Sequence, residues 1–211
     1  MAGNVQGRNG QRGGIAVLWV LSVLIALGSY RFLVADLALV MEPMLHHLQD
    51  RPLALYLHIG VAPIALMLLP LQFSKHLRRA RPGLHRWLGR LYGLVILVSG
   101  LAGFVLALST EEGTFAAVGL ALLSLAWLFT TARAILFALN RDIARHRAWM
   151  IRSAALTLAG VTLRLYLPVG LFTVGFEASY PLICWLCWVP NLLFAEWLLR
   201  RRPAGGWAQP A

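Results

Sequence analysis

The sequence predicts an all-α integral membrane protein, a bundle of six transmembrane helices with both termini on the cytoplasmic side. Composition is the first reason: 59% of the 211 residues are hydrophobic and 13% are charged, which leaves more apolar surface than a soluble domain of this length can bury. The second is a series of six apolar stretches, each near the roughly 20 residues that a helix needs to cross the hydrocarbon. The third is the clustering of basic residues at one end of those stretches.

The six stretches follow one another without an internal repeat. Turn and helix-breaking residues separate them, among them Pro52, the pair Pro82-Gly83 and Pro181. A single transmembrane domain is therefore predicted over 15–200, with a flexible cytoplasmic tail over 1–14 before it and a second tail over 201–211 after it. The predicted spans are 15–37, 53–73, 84–108, 114–139, 147–170 and 180–199.

Charge placement predicts the direction of the spans. Basic residues accumulate on the cytoplasmic side of inner-membrane proteins, and with the N-terminus inside only Arg31, Arg51, Arg133 and Arg164 fall elsewhere. We therefore expect a multi-pass protein of the bacterial inner membrane that contacts the lipid bilayer. The net charge of +11 does not indicate a nucleic-acid partner, because the basic residues line a membrane interface.

Ionisable side chains inside the spans are the candidates for function. A charge at the bilayer centre costs at least roughly 2.5–3.5 kcal/mol, so it usually faces a partner, a cavity or a cofactor. We expect Glu196 to pair with Arg152 or Arg133 near the inner end of the sixth span, and Arg164 to pair with an acidic residue near the outer end of the fifth. The candidates are His58, His85, Arg133, His146, Arg152, Arg164 and Glu196, and the acids considered for Arg164 are Asp36, Glu42 and Glu177.

One face of the third span carries a histidine followed by residues with almost no side chain. At about 100° per residue these positions fall within one narrow arc of the helix. Either the edge of a haem or a second helix could approach such a groove, and on the glycines alone close helix packing is the favoured interpretation. The face consists of His85, Gly89, Gly93, Gly100, Gly103 and Ala107.

Two histidines are predicted to lie at the same depth, because His85 begins the third span and His146 begins the fifth, both on the cytoplasmic side. Two neutral imidazoles from facing helices are a standard axial pair for the iron of a b-type haem. Nearby arginines could bind the haem propionates through charge-assisted hydrogen bonds; alternatively, the same side chains snorkel to lipid phosphate. These arginines are Arg86, Arg90, Arg145, Arg147 and Arg152.

His58 begins the second span in the outer half of the membrane. The fourth span contains no histidine that could face it at that depth. If a haem b binds, the sequence therefore predicts one rather than two. For His58 three roles stay open: a proton carrier, a quinone contact or a buried hydrogen-bonding residue.

Three runs of residues carry a resemblance: His85-Arg86-Trp87-Leu88-Gly89-Arg90-Leu91-Tyr92, His146-Arg147-Ala148-Trp149-Met150-Ile151-Arg152-Ser153, and Trp188-Val189-Pro190-Asn191-Leu192-Leu193. They resemble a bacterial family of predicted membrane proteins, catalogued as domain of unknown function 2306 (DUF 2306), over roughly 55–200. That family name implies no activity.

A weaker resemblance links two stretches to the six-span cytochrome b561 class, in which two haems pass electrons across membranes. Leu84-His85-Arg86-Trp87, followed by Gly89, is similar to the opening of a core helix of that class, and Leu57-His58-Ile59 is similar to its preceding helix. The fourth span departs from the class because it lacks the histidine. What the resemblance implies for this chain is therefore one haem.

Two hypotheses for function follow. The first is a membrane-embedded haem protein that works in electron transfer, with a quinone or a membrane redox protein as its partner. The alternative is a non-enzymatic six-helix protein that binds, carries or senses a small anionic ligand or a lipid, because buried arginines and a basic rim suit an anion. The sequence contains no phosphate-binding glycine loop, HExxH motif or serine–histidine–acid arrangement. It decides neither enzymatic activity nor oligomeric state.

Overall fold

The structure, a computed structural model, describes residues 3–40 and 42–201 of the chain, and that part contains helices and no strand. The segment predicted as an N-terminal tail is helical from Gly3 onward, whereas the predicted C-terminal tail lies outside the described residues from position 202. The α-helices are α1 (Gly3–Ser29), α2 (Arg31–Val34), α3 (Leu37–Val40), α4 (Leu45–Asp50), α5 (Pro52–Phe73), α6 (Lys75–Ala80), α7 (Pro82–Leu108), α8 (Thr114–Leu139), α9 (Ile143–Thr157), α10 (Ala159–Thr173), α11 (Phe176–Leu186) and α12 (Val189–Arg200), with a 3₁₀ turn at Glu42–Met44.

Six segments of the described chain are long and apolar enough to cross a membrane, which confirms the predicted fold class. The fifth and sixth begin earlier than expected. Asp142 caps the start of the fifth, since its Oδ1 accepts a hydrogen bond from the Arg145 backbone N–H at 3.0 Å. Gly175, at φ +87°, makes the tight turn into the sixth. The spans are Ala16–Val34, Pro52–Phe73, Pro82–Leu108, Thr114–Leu139, Ile143–Thr173 and Phe176–Arg200.

The third span is the centre of the bundle. It packs along the second and fourth spans, and the fifth span packs on the fourth. The first span contacts the second and the fifth, while the sixth contacts the fourth and the fifth. Leu69, Tyr92, Ile96 and Cys187 are fully buried where these spans meet. The centre of the bundle is therefore closed to lipid.

The spans present two chemically different ends. We call one of them the basic end. The second and sixth spans end there and the third and fifth begin there, near Arg78, Arg145 and Arg200. The opposite end, here the acidic end, carries the connection between the third and fourth spans with Glu111 and Glu112. The assignment of the basic end to the cytoplasm, with both termini inside, stays a prediction from the charge pattern.

The fifth and sixth spans are each built from two helices. The fifth is interrupted at Leu158, between α9 and α10, and the sixth at Cys187 and Trp188, between α11 and α12. Pro190 explains the second interruption, because proline has no N–H to donate and its ring clashes with the carbonyl four residues earlier. The two interruptions therefore lie at similar depth, about 20 Å from the basic end at 1.5 Å per residue.

One side chain joins the two interruptions. The Asn191 Nδ2 donates to the Ala155 carbonyl at 3.3 Å, to the Cys187 carbonyl at 3.0 Å and to the Thr162 hydroxyl at 2.9 Å. Backbone groups freed inside a membrane need such partners, because no water is available there. Asn191 thus joins the fifth and sixth spans where their helices are interrupted.

Candidate functional site

The basic end brings together the two histidines that the sequence singled out. His85, in the first turn of the third span, and His146, in the first turn of the fifth, lie close enough to interact electrostatically. The His146 ring is oriented by its Nδ1, which donates to the Ala134 carbonyl of the fourth span at 2.9 Å. Both rings are partly buried. They are therefore neighbours in a region that lies between three spans.

A glutamine that the sequence reasoning missed lies beside His85. Gln72 is 6% exposed, and its Oε1 lies 3.5 Å from where a Cβ would stand on Gly89, one turn beyond His85. Within the described chain, its Nε2 and the His85 Nδ1 are buried without a hydrogen-bond partner. Because buried polar groups are nearly always paired, these atoms mark a place for a partner from outside the protein. The sequence signal that could have identified Gln72 is the presence of a polar residue in the last turn of an apolar span.

Arg78 completes the group. It lies on α6, the short helix between the second and third spans, and its Nη1 donates to the Gln72 backbone carbonyl at 3.1 Å. It is also within electrostatic range of His85. Burial and then the charges of Arg147 and Arg79 lower the pKa of Arg78 below its usual value. We refer to Gln72, Arg78, His85 and His146 as the basic-end cluster.

Each imidazole of the pair has one ring nitrogen that receives no hydrogen bond from the described part of the chain. A metal-bound histidine usually donates one ring N–H to a carbonyl and ligates through the other nitrogen. His146 has this arrangement, since its Nδ1 is engaged and no hydrogen bond from protein occupies its Nε2 in the described chain. Among the described residues the His85 Nδ1 likewise has no hydrogen-bond partner.

The glycine face of the third span does not suit a haem edge. A Cβ on Gly93 would lie 2.7 Å from the Ile135 Cδ1, and one on Gly100 would lie 2.8 Å from the Leu128 Cδ2. Side chains of the fourth span therefore already fill the groove, as close helix packing requires. At Gly93 and Gly100 the close-packing interpretation is therefore favoured over a porphyrin edge, whereas Gly89 has only the Gln72 Oε1 of the second span nearby.

The arginines predicted to bind haem propionates have different surroundings. Arg86 and Arg90 are exposed on the surface of the third span, and Arg147 is partly buried. Arg152 binds Glu196 through two hydrogen bonds, from its Nε to Oε1 at 2.5 Å and from its Nη2 to Oε2 at 2.9 Å. This confirms the ion pair predicted for Glu196 and commits the Arg152 guanidinium to it.

Arg133, predicted as an ion-pair or ligand candidate within the fourth span, does not face the interior of the bundle. Its side chain is exposed on the outside of the bundle, and its guanidinium lies over the rings of Phe137 at 4.8 Å and Trp149 at 5.6 Å from their centroids. Stacking on two aromatic rings shields the charge without a carboxylate. Glu196 accordingly takes Arg152 as its partner.

A network of hydrogen-bonded hydroxyl groups lies in the middle of the bundle, farther from the basic end than the basic-end cluster. The fully buried Tyr92 shares hydrogen bonds with Thr157 at 2.6 Å and with Ser153 at 3.2 Å. The Trp127 Nε1 donates to the Thr157 Oγ1 at 2.9 Å, and the Thr131 and Ser153 hydroxyls are 2.7 Å apart. Each hydroxyl in this network has a partner, so it joins the third, fourth and fifth spans and carries no unpaired group.

The half of the bundle nearer the acidic end holds His58 and Arg164. The His58 Nδ1 donates to the Ser99 carbonyl at 2.9 Å, and His58 and Arg164 interact electrostatically. The Arg164 Nη1 donates to the Gly160 carbonyl of its own helix at 3.0 Å. The acidic partners expected for Arg164 are not found: in the part of the chain that the structure describes, it has no ion pair.

Two histidines lie at the acidic end outside the spans. The rings of His46 and His47 have centroids 4.0 Å apart, and the His47 Nδ1 lies 3.4 Å from the Ser109 hydroxyl. Burial and the charge of His46 lower the pKa of His47 to about 4. Across residues 3–40 and 42–201, no three histidine, cysteine or acidic side chains are arranged to hold a metal ion.

The comparison with protein families assigns the chain. The sequence profile described as predicted membrane protein (DUF2306) matches residues 55–199. The chain belongs to this family. No match was found among curated proteins or among solved structures, so the weaker resemblance to cytochrome b561 gains no support from them. The DUF2306 match includes the whole basic-end cluster as well as His58 and Arg164. It identifies a multi-pass membrane protein.

Proposed function

We propose that this DUF2306 protein binds a phosphate group at its basic-end cluster and acts without catalysis, carrying or sensing the phosphorylated molecule. The observation that supports the proposal is the presence of two buried, unpartnered atoms, Gln72 Nε2 and His85 Nδ1, near the Arg78 guanidinium. All three groups donate hydrogen bonds, whereas ionised phosphate oxygens accept them. The cluster therefore matches a ligand rich in acceptors.

The charge around the cluster favours an anion. Arg78 is within electrostatic range of Arg147 and Arg79, so cations accumulate at this place. The two carboxylates at the basic end, Asp142 and Glu196, are already paired with other arginines. A bound phosphate would offset the repulsion between these arginines. Its oxygens would accept hydrogen bonds from the Arg78 N–H groups that do not donate to the Gln72 carbonyl.

The depth of the cluster matches that of lipid phosphates. Gln72 lies in the last turn of the second span and His85 in the first turn of the third, so the cluster stands at the edge of the hydrocarbon rather than at its centre. A phosphate here belongs either to the head group of an anionic lipid or to a soluble molecule from the aqueous side. Either source would present the same phosphate oxygens to the cluster.

Binding measurements on the purified protein in phosphatidylcholine nanodiscs separate the sources. Added glycerol 3-phosphate, followed by calorimetry, tests a soluble ligand, and retention of phosphatidylglycerol in native mass spectrometry tests a lipid. Arg78→Gln should weaken whichever binding occurs by at least about tenfold, because a charge-assisted donor is lost. Arg200→Gln is the matched control: it removes an equal charge from an exposed position at the same end of the bundle. Equal affinity in the two variants would contradict the proposal.

A second variant separates binding from folding. Gln72→Leu replaces the unpartnered amide by an apolar group of similar size, so the empty protein should become no less stable. Phosphate binding should nevertheless weaken. If the glutamine served only the structure, its replacement would lower the thermal midpoint and leave phosphate affinity unchanged, and the proposed role would be refuted.

Haem is the second candidate ligand for the same end of the bundle. The proximity of His85 and His146 favours it, and a bound b-type haem would supply one-electron redox chemistry between membrane partners such as quinols. Protein purified from haem-sufficient cells should then be coloured, and its absorption spectrum should change on reduction and disappear in His146→Phe. Colourless protein would remove this candidate and leave the phosphate proposal untouched.

For location, the loop charges favour a bacterial inner membrane with the basic end in the cytoplasm. A reporter enzyme that is active only in the periplasm, fused after residue 200, should be inactive under this proposal. The same reporter inserted between residues 111 and 112 should be active. The reverse pattern would invert the orientation and place the phosphate cluster outside.

A further inference from the structure

A pair of arginines lies on the outer surface of the bundle, where the fourth and fifth spans meet. Arg133 is exposed there, and its Cα is about 9 Å from the basic end of the fourth span at Leu139, at 1.5 Å per residue. Its guanidinium carbon lies 4.8 Å from the ring centroid of Phe137, which is one turn nearer the basic end. The side chain therefore extends toward the basic end, as arginines within a span do when they reach for the membrane surface.

Aromatic rings from both spans surround the Arg133 guanidinium. Its carbon also lies 5.6 Å from the ring centroid of Trp149, in the fifth span. The Trp149 ring in turn packs edge to face on Phe129, with the ring centroids 5.5 Å apart. A guanidinium that is stacked on aromatic rings is already ordered, so it loses less conformational entropy when it binds an anion. Arg133 is therefore preorganised at the boundary between the two spans.

Arg145 brings a second positive charge to the same aromatic ring. Its guanidinium carbon lies 5.6 Å from the Phe137 centroid, and its side chain is 70% exposed. Its pair with Asp142 joins the Nη1 to the Oδ2 at 3.5 Å, which leaves the other N–H groups of the guanidinium as donors. Arg133 has no ion pair within the described part of the chain. Two cations and one carboxylate leave this surface with a net positive charge.

An apolar strip continues from Arg133 toward the centre of the membrane. It consists of Leu122, Leu125 and Phe129, which are exposed on the same side of the fourth span at successive turns. The surface thus offers guanidinium donors near the basic end and hydrocarbon contacts farther in. A ligand that matches both parts has an anionic head and an apolar tail. A soluble anion would match only the first part.

We infer that Arg133 and Arg145 bind the phosphate of an anionic phospholipid from the leaflet at the basic end, with an acyl chain along the apolar strip. Phosphate oxygens accept charge-assisted hydrogen bonds from both guanidinium groups. A zwitterionic head group is disfavoured because its ammonium is repelled by the two arginines, and each arginine near the surface favours an anionic lipid by about fivefold. The inference is independent of the proposed function, since Gln72 and His85 belong to the second and third spans.

The test compares photoreactive phosphatidylglycerol with photoreactive phosphatidylcholine, each with the same diazirine-bearing acyl chain and each a minor component of phosphatidylcholine nanodiscs. After illumination, peptide mass spectrometry measures how strongly each lipid labels residues 122–129. Phosphatidylglycerol should label this segment at least about fivefold more than phosphatidylcholine, and Arg133→Gln should lower that ratio by about fivefold. Arg145→Gln should lower it by a similar factor, so the test does not depend on one variant.

Arg90→Gln is the matched control, because Arg90 is also exposed and lies within the third span about 12 Å from its basic end. It should leave the labelling ratio at residues 122–129 unchanged. Arg78→Gln should do the same, even though it weakens the phosphate binding proposed for the basic-end cluster. Equal labelling by the two lipids in the wild type would overturn the inference, as would a ratio that survives Arg133→Gln. Suppression of the labelling by excess glycerol 3-phosphate would also overturn it, by assigning the site to a soluble phosphate.

Discussion

The ion pair between Arg152 and Glu196 allows a quantitative prediction, because its geometry is bidentate and its surroundings are known. The side chains are 22% and 31% exposed, so the pair is intermediate between a surface and a buried salt bridge. Removing one partner of a buried pair costs roughly 3–5 kcal/mol, whereas a surface pair contributes about 0–1 kcal/mol. For Glu196→Gln we expect a loss of about 2–3 kcal/mol in the free energy of unfolding, because the amide presents an N–H to the guanidinium.

A double-mutant cycle isolates the pairwise part of this loss. Arg152→Gln should cost a similar amount, and the double variant should cost less than the sum by about 1–2 kcal/mol. Unfolding in mixed micelles, followed by the fluorescence of the chain's 8 tryptophans, measures each value. Arg145→Gln is the control, because its pair with Asp142 is 70% exposed on the arginine side and should contribute within about 0.5 kcal/mol. Additive losses would refute a direct interaction between Arg152 and Glu196.

Three further predictions address other regions. Gly119→Ala should destabilise the protein by about 1–3 kcal/mol, because the new Cβ would lie 2.7 Å from the Trp185 ring; Gly28→Ala, where no atom lies within 4 Å, should be neutral in the same unfolding assay. Tyr92→Phe should cost about 0.6–1.7 kcal/mol, as its hydroxyl makes two hydrogen bonds inside the membrane, and no change would show that the bonds do not form. His47, with a folded pKa of about 4 against 6.5 when unfolded, should make the protein less stable as the pH falls from above 6.5 toward 4. That loss is on the order of 3 kcal/mol and should be absent from a pH series of His47→Gln.

The depth of residues in the membrane could be predicted from the sequence, because it follows from the length and spacing of apolar runs. The six spans and the neighbouring positions of Arg152 and Glu196 are of this kind. The packing of Gly93 and Gly100 was also predictable as one of two interpretations, since small residues on one helical face allow another helix to approach.

The rotation of each span about its axis was less predictable. Arg133 lies inside an apolar run, and the run does not indicate that its side chain faces outward over Phe137. The partners of Arg164 were expected from depth alone, but equal depth does not bring side chains of different spans together. The positions of Gln72 and Arg78 beside His85 could not be predicted from the sequence. They depend on the direction of the short helix α6, which follows the second span and is set by packing.

The amide of Asn191 has a mechanical consequence for the last third of the chain. It hydrogen-bonds across both interruptions, so neither span can bend there without lengthening a hydrogen bond to Asn191. This contact lies about 8 Å along the spans from Arg152 and Glu196, at 1.5 Å per residue, and that ion pair joins the same two spans nearer the basic end. Two separate polar contacts between one pair of spans resist twisting of one span against the other more than either contact would alone.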